Sequence, residues 1–498
     1  MSKRIELPLD VTPYDIQNYF FRNGRVKKMP GTVKYNTTAL SFPIKWQDRY
    51  YGIKADGSFI KKTFCYSNGT IYMGDDSLQT LTSVKAGLQI DCQVESLVEQ
   101  VAGNSRMYLF NGYDYPYYYE GDDLGTWVKS AIPYKFQQAV IKDQRLWGFE
   151  RNTSSLIFSR NLYPEDYNVS YAGTIIIGNE RDSFIRRIVL LGNSLYIFKN
   201  DSIWVLRGST RATYSVDLLV PNMGLLAQKA WSQVASAGVF VCQQDKEIYE
   251  FTGTPNPRMI SKNIIKDKTF ADLIDKNEDK TDLMTAHWDM INRLFRLSYK
   301  GFPARENHAN SEVIFPTDEF REGGSPKWSI SHGAGISCYS NWNRQGDHQL
   351  VTGRSDKGLL MIHNRGHNFD DVAMETFLVL DDYTPSAGHN CDFSSYFIRG
   401  IPSSGTINIK TFLNGRYSTG TSQNLTDQGE TEVIPGSAIT ISSQIRFHNW
   451  MPILTGYNHG EQIGFSIEDS TKDKDIEIET IVLEYNIRER ITTSLVGG

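Results

Sequence analysis

His363 and His367 stand four residues apart in the segment HNRGH. On a helix that spacing places two imidazoles over one metal ion. The zinc-protease pattern also needs a glutamate directly after the first histidine, and here Asn364 holds that place in a loop-like stretch. Both residues therefore read as histidines of a surface loop, and the other seven of the nine histidines are scattered without a coordination pattern. No metal and no cofactor is expected.

Carboxylates come in two similar triplets, Gly74-Asp75-Asp76 and Gly121-Asp122-Asp123, each after an aromatic strand-like run, with Glu120 beside the second. The plain reading is polar turn ends. The sharper one is that Asp75, Asp76, Glu120, Asp122 and Asp123 line a rim or channel and give it a negative potential. A glycosidase would need two carboxyl groups about 5 to 9.5 Å apart across a sugar cleft, and adjacent Asp-Asp pairs are not the usual donors of that geometry. The serine-hydrolase elbow, the phosphate-binding loop and the dinucleotide glycine turn are all missing, as is any clear copy of the sialidase S-x-D-x-G-x-x-W turn. No catalytic residue is assigned, and the chain reads as a non-enzyme. Tyr113, Tyr115, Tyr117, Tyr118 and Tyr119 cluster around Pro116. Alternation along a strand would bury about half of them and offer the rest to a partner or ligand.

The elements that must position these groups are strands. Leu190 to Gly208, LLGNSLYIFKNDSIWVLRG, is two apolar runs joined by the turn Lys199-Asn200-Asp201-Ser202. Both runs are apolar on both faces, so the ribbon must be covered above and below, as in a sheet held between like sheets. Ala237 to Gly253, AGVFVCQQDKEIYEFTG, repeats the unit, and looser copies recur at intervals of about 36 to 56 residues. Such spacing, with about four short strands per unit, suits six or seven blades of a β-propeller. A large sandwich of successive hairpins is the alternative. One short helix is expected over Thr269 to Asp275, with Thr269 capping and Asp272 three residues on.

Past Asp371 the rhythm changes to period-two alternation, clearest over Glu477 to Tyr485, with a hairpin turn at Asn414-Gly415. The expected fold is all-β. Residues 1–44 form an N-terminal arm with a ring-closing strand, 45–371 the propeller, and 372–498 a C-terminal β-sandwich. A length of 498 residues fits more than one core.

With 52 basic against 57 acidic residues and a formal charge of −5, no global basic field holds nucleic acid. The five cysteines, Cys65, Cys92, Cys242, Cys338 and Cys391, never form a C-x-x-C pair and read as reduced, buried thiols. Met1 to Asp10 lacks the apolar run of a secretion signal and no membrane span is visible, so folding in the cytoplasm is expected.

Arg25 with Pro30-Gly31-Thr32, the two blade hairpins, the phrase Ser355-Asp356-Lys357-Gly358-Leu359-Leu360 leading to Asp370-Asp371, and the ending DIEIETIVLEYNIRER resemble one family. It is the propeller-containing hub or nozzle proteins of short-tailed bacteriophage tails, also called packaged-DNA stabilisation proteins, and the resemblance covers nearly the whole chain. It implies a virion tail component assembled in the host cytoplasm as a homo-oligomeric ring, commonly a hexamer. Its implied partners are portal and adaptor proteins above, fibres or spikes outside, and DNA passing transiently through a central channel. A channel wall of little net positive charge would let that DNA slide. The resemblance carries over no catalytic residue. The rival reading is a host-recognition or carbohydrate-binding propeller in which the tyrosines stack on sugar rings.

Overall fold

The computed structural model describes residues 3–7, 15–22, 24–53, 58–77, 79–101, 104–178, 183–301, 311–318, 326–333, 335–342, 349–363, 368–369, 372–374, 376–380, 383–385, 389–402, 407–413, 416–417, 423–425, 447–452, 459–460, 462–469 and 476–490. The hairpin at 190–208 shows how its sequence makes its structure. Gly192 takes a left-handed φ of 60° in a tight turn, which a residue without Cβ adopts freely. Ser194–Lys199 then pairs with Ile203–Arg207, with Leu195 opposite Leu206 and Ile197 opposite Trp204. Leu195 and Ile197 pack with Trp147 and Phe149 of the preceding sheet. Their neighbours Tyr196 and Phe198 pack with Trp231, Phe240 and Phe251 of the following sheet. The two-residue period of a strand thus assigns alternate side chains to different neighbouring sheets.

Seven sheets of this kind follow one another, the first six of them four-stranded antiparallel meanders. The first runs from Trp46–Ile53 to Thr80–Lys85, the second from Glu95–Val101 to Val128–Lys129, and the third from Phe136–Lys142 to Gly173–Ile176. The fourth runs from Ile185–Leu191 to Ser215–Val220, the fifth from Trp231–Val234 to Arg258–Met259, and the sixth from Thr285–Asp289 to Ser329–His332. The seventh begins at Ile336–Trp342, continues through Gln349–Arg354 and Leu360–His363, and then takes Thr32–Lys34 as its next strand. Across the closure Trp342 Nε1 donates to Gln47 Oε1 at 3.1 Å, and Gln47 Nε2 donates to the Val351 carbonyl at 2.8 Å. The architecture is a β-propeller, which excludes the single large sandwich.

The helix expected over Thr269 to Asp275 is shorter than its pattern suggests. Only Phe270–Asp272 is helical, a 3-10 turn. The Asp272 carboxylate accepts the Thr269 backbone N–H at 2.9 Å, and by Asp275 the chain is already bonded to the Lys300 carbonyl. A second short helix, Glu278–Thr281, follows in the same connection between the fifth and sixth sheets.

Two further sheets combine both ends of the chain. Ile476–Arg490 pairs with Lys3–Leu7, Arg25–Lys28 and His389–Pro402. Thr376–Val379 pairs with Asp15–Gln17 and with Ile463–Asp469, which continues to Ile407–Leu413. Their buried residues, among them Phe21, Leu378, Phe393, Phe465 and Leu483, belong to one core with Phe240 and Phe315 of the propeller. The turn at Asn414-Gly415 lies outside the described residues.

An axial cavity as the candidate functional site

The first strand of each propeller sheet lies nearest the axis, and the residues at its start converge from all seven sheets. They surround a cavity of about 370 Å³ that includes Lys45, Gln93, Gln137, Arg186, Lys229, Met284 and Ser337. Seven strand starts leave an axial gap that short side chains cannot fill, and long polar ones close it by bonding between sheets that are not neighbours. Arg187 of the fourth sheet donates through Nη1 to Glu95 Oε1 of the second at 2.9 Å, and to the Gln228 carbonyl at 2.9 Å. Gln137 Nε2 reaches Gln228 Oε1 at 2.5 Å, Gln93 Nε2 reaches the Asp282 carbonyl at 2.8 Å, and Lys229 Nζ reaches the Lys45 carbonyl at 3.3 Å. These bonds satisfy groups that burial would otherwise penalise. They also tie sheets together across the axis at this level.

The cavity's charge is mainly positive. Lys45, Arg151, Arg186 and Lys229 line it against the carboxylates Asp91 and Asp282. The Arg186 guanidinium lies 4.6 Å from the Phe184 ring centroid, with Asp282 at 3.8 Å and Glu278 at 4.0 Å, beyond direct hydrogen bonding. Burial draws Arg186 below its usual range, and the two carboxylates oppose that shift. Its Nε is buried without a hydrogen-bond partner. Arg151 sits 4.8 Å from the Tyr113 ring centroid. Among the described residues, Lys45, Arg151 and Lys229 have no carboxylate within ion-pair distance.

The carboxylates singled out in the sequence lie elsewhere. In each sheet the third strand runs parallel to the first, so the ends of Thr70–Asp75 and Tyr117–Tyr119 point away from the cavity. Asp75 accepts the Ser77 N–H at 2.8 Å and hydroxyl at 2.6 Å. Asp76 accepts the Tyr35 hydroxyl at 2.6 Å and pairs with Arg49, whose guanidinium lies 4.3 Å from the Trp342 ring centroid. Glu120 accepts from Arg106 Nε at 2.8 Å and Asn104 Nδ2 at 3.2 Å. Asp122 accepts the Thr126 N–H at 2.9 Å, and the Asp123 carbonyl accepts Lys62 Nζ at 3.3 Å. None of the five lines the cavity.

The tyrosine run divides by depth. Tyr119 is fully buried among Tyr50, Phe64 and Trp127. Tyr118 packs on Tyr108 and under Arg106, Tyr117 lies beneath Lys85, and Tyr115, 39% exposed, is covered by Lys129. Of the five, only Tyr113 lines the axial cavity.

The surface-loop reading of His363 is corrected. It ends the strand Leu360–His363, is 2% exposed, and shares a 3.0 Å hydrogen bond with Thr352 Oγ1. Burial holds its pKa well below the usual histidine value, with Arg296 and His287 adding to that effect. The strand continues through it because the N-terminal Thr32 pairs there, which local sequence does not show. His367 lies outside the described residues. Among the described residues no group of three or more His, Cys, Asp or Glu could hold a metal, and no helix is long and apolar enough to cross a membrane. All five cysteines are free and buried, and burial raises the Cys92 thiol beside the cavity.

Sequence reasoning missed the cavity cations because they are separated by dozens of residues and share no motif. Aligning the repeats on the first strand of each sheet, not on the hairpin that follows, would have brought Lys45, Gln93, Gln137, Arg186 and Lys229 near one column.

No known family profile matches the chain, and no curated protein matches it. Similar solved structures include an ancestral GH74 enzyme at 10% identity and a TM-score of 0.42, covering 72% of this chain and 52% of that one. The chain thus spans about half the length of that enzyme. The WD40 domain of Neurospora crassa Pan2 is similar at 6% identity and a TM-score of 0.38, over 69% of this chain and 97% of that one. The exo-beta-1,3-galactanase of Phanerochaete chrysosporium is similar at 9% identity and a TM-score of 0.26, over 92% and 100% of the two chains.

Proposed function

We propose that the chain is a structural subunit of a bacteriophage tail, a hub or nozzle protein that forms a ring, a hexamer, and performs no covalent chemistry. The observation that carries this reading is a series of exposed apolar side chains in the outer strand of the third sheet and the connection that leads into it. Leu162, Tyr163, Val169, Tyr171 and Ile176 are 65%, 54%, 85%, 51% and 59% exposed. Large apolar side chains grouped at a surface mark association sites. The two sheets built from both chain ends, sharing a core with the propeller, add a stiff platform for neighbouring subunits, portal and adaptor proteins, and fibres or spikes. In this reading DNA runs down the axis of the ring and not down the propeller's own axis, which side-chain bonds cross. The virion tail is then its place of work and the host cytoplasm its place of assembly.

Mass photometry and negative-stain imaging of the purified chain test the ring. Discrete particles near a small multiple of 56.6 kDa, with an annular outline, are expected. Leu162→Glu combined with Val169→Glu should return them to monomers. Monomers at every concentration from nanomolar to tens of micromolar would overturn the self-assembling ring. A second reading, carbohydrate recognition, is favoured by Tyr113 beside Arg151 in the axial cavity. Repeated sugar hits on a glycan array, without ring formation, would select it.

A further inference from the structure

We infer that the axial cavity binds a single-ring organic anion, a sugar carrying a phosphate or carboxylate group. The inference uses the cavity alone and stands whether or not the chain forms a ring. Three observations converge on it. The volume of about 370 Å³ falls within the range of roughly 300–1,000 Å³ usual for small-molecule sites, at the end suited to one ring. Gln137 and Gln228, bonded to each other between the third and fifth sheets, are fixed polar groups in its wall. Its walls carry four cations against two carboxylates, and Lys45, Arg151 and Lys229 lack carboxylate partners among the described residues.

The chemistry of the walls narrows the ligand. Arg186 keeps a buried Nε–H without a partner, and its carboxylate neighbours stand at 3.8 and 4.0 Å. A phosphate or carboxylate oxygen placed there would accept the charge-assisted hydrogen bond for which the protein itself supplies no acceptor. Tyr113 and Phe184 line the same cavity, each with one ring face against an arginine, and add apolar surface suited to a sugar ring. Gln93 Oε1 is also buried without a partner and can accept a sugar hydroxyl. A bare inorganic anion would use the cations and leave the rings and Gln93 idle.

Isothermal titration of the full chain at low salt tests this with three probes: D-glucuronate, D-glucose 6-phosphate and inorganic phosphate. One-to-one binding of at least one sugar anion is expected, weakening as salt rises. Inorganic phosphate should bind at least tenfold more weakly than that sugar. Arg151→Gln and Lys229→Gln should each weaken it at least fivefold, while Lys62→Gln, at the opposite end, leaves it unchanged. Glucuronate binding alone would identify the carboxylate form, and sugar phosphate binding alone the phosphate form. The inference is overturned if neither sugar anion saturates the protein, if phosphate binds as tightly as either sugar, or if the Lys45→Gln, Lys229→Gln double variant binds undiminished. Thermal melts of each variant in the absence of probe, expected within about 2 °C of the parent, show that lost binding is not lost folding.

Discussion

The two ends of the propeller handle charge in opposite ways. At the far end the acids are tied down: Asp76 to Arg49 and Tyr35, and Glu120 to Arg106 and Asn104. At the axial mouth Lys45, Arg151 and Lys229 lack acidic partners among the described residues, and Arg186 meets its acids only at 3.8 and 4.0 Å. Charges that complete one another hold sheets together, whereas charges left incomplete around a cavity are available to something else. A count of acidic and basic residues reveals neither condition, since only pairing distinguishes them.

The largest expected effect separates two tyrosines of one cluster. Tyr119→Ala empties a site enclosed by Tyr50, Phe64 and Trp127 and should cost about 3–5 kcal/mol in urea denaturation. Tyr113→Ala, at the cavity wall, should cost about 1 kcal/mol or less. Equal losses would remove the contrast between a structural end and an available one.

Arg49→Ala should come next. It deletes a guanidinium 4% exposed, its contact with the Trp342 ring and its pairing with Asp76, for a loss of about 2–3 kcal/mol. Lys229→Gln at the mouth should stay within about 0.5 kcal/mol of the parent, by the same denaturation curves.

A smaller, pH-dependent effect arises from His287 and His363, both kept neutral by burial. His287 is lowered to about 4 and His363 falls in the same direction. Between the ordinary histidine value of about 6.5 and those lowered values the unfolded chain binds protons that the folded chain refuses. Their contribution is therefore complete above pH 6.5 and declines as pH falls toward 4. His363→Gln, which keeps a partner for Thr352, should flatten that decline in melts recorded from pH 7.5 to 4.5. An unchanged slope would show that His363 is not one of the groups responsible. Glu120→Gln should also have a small effect, about 1 kcal/mol or less, because its ion pair with Arg106 is part exposed and screened.

The fold was legible where its causes are local. The 190–208 hairpin shows its turn, its two strands and its need for cover on both faces within nineteen consecutive residues. The helix at 269 was overextended because its cap and apolar spacing are local, while the Lys300 carbonyl that draws the chain away is not. His363 was misplaced for the same reason, since Thr32 supplies the strand beside it. The candidate site was hardly visible, Tyr113 apart, because its cations lie on four different sheets or their connections.

What the sequence determined by itself is the unit: a strand pair greasy on either side, repeated until the copies can cover one another, since alternation is a property of neighbouring residues. What the tertiary structure decided is which charges meet and which do not. Convergence on an axis is set by how many sheets close the ring and where its last strand comes from. That closure puts Lys45 beside Lys229, and Arg187 against Glu95.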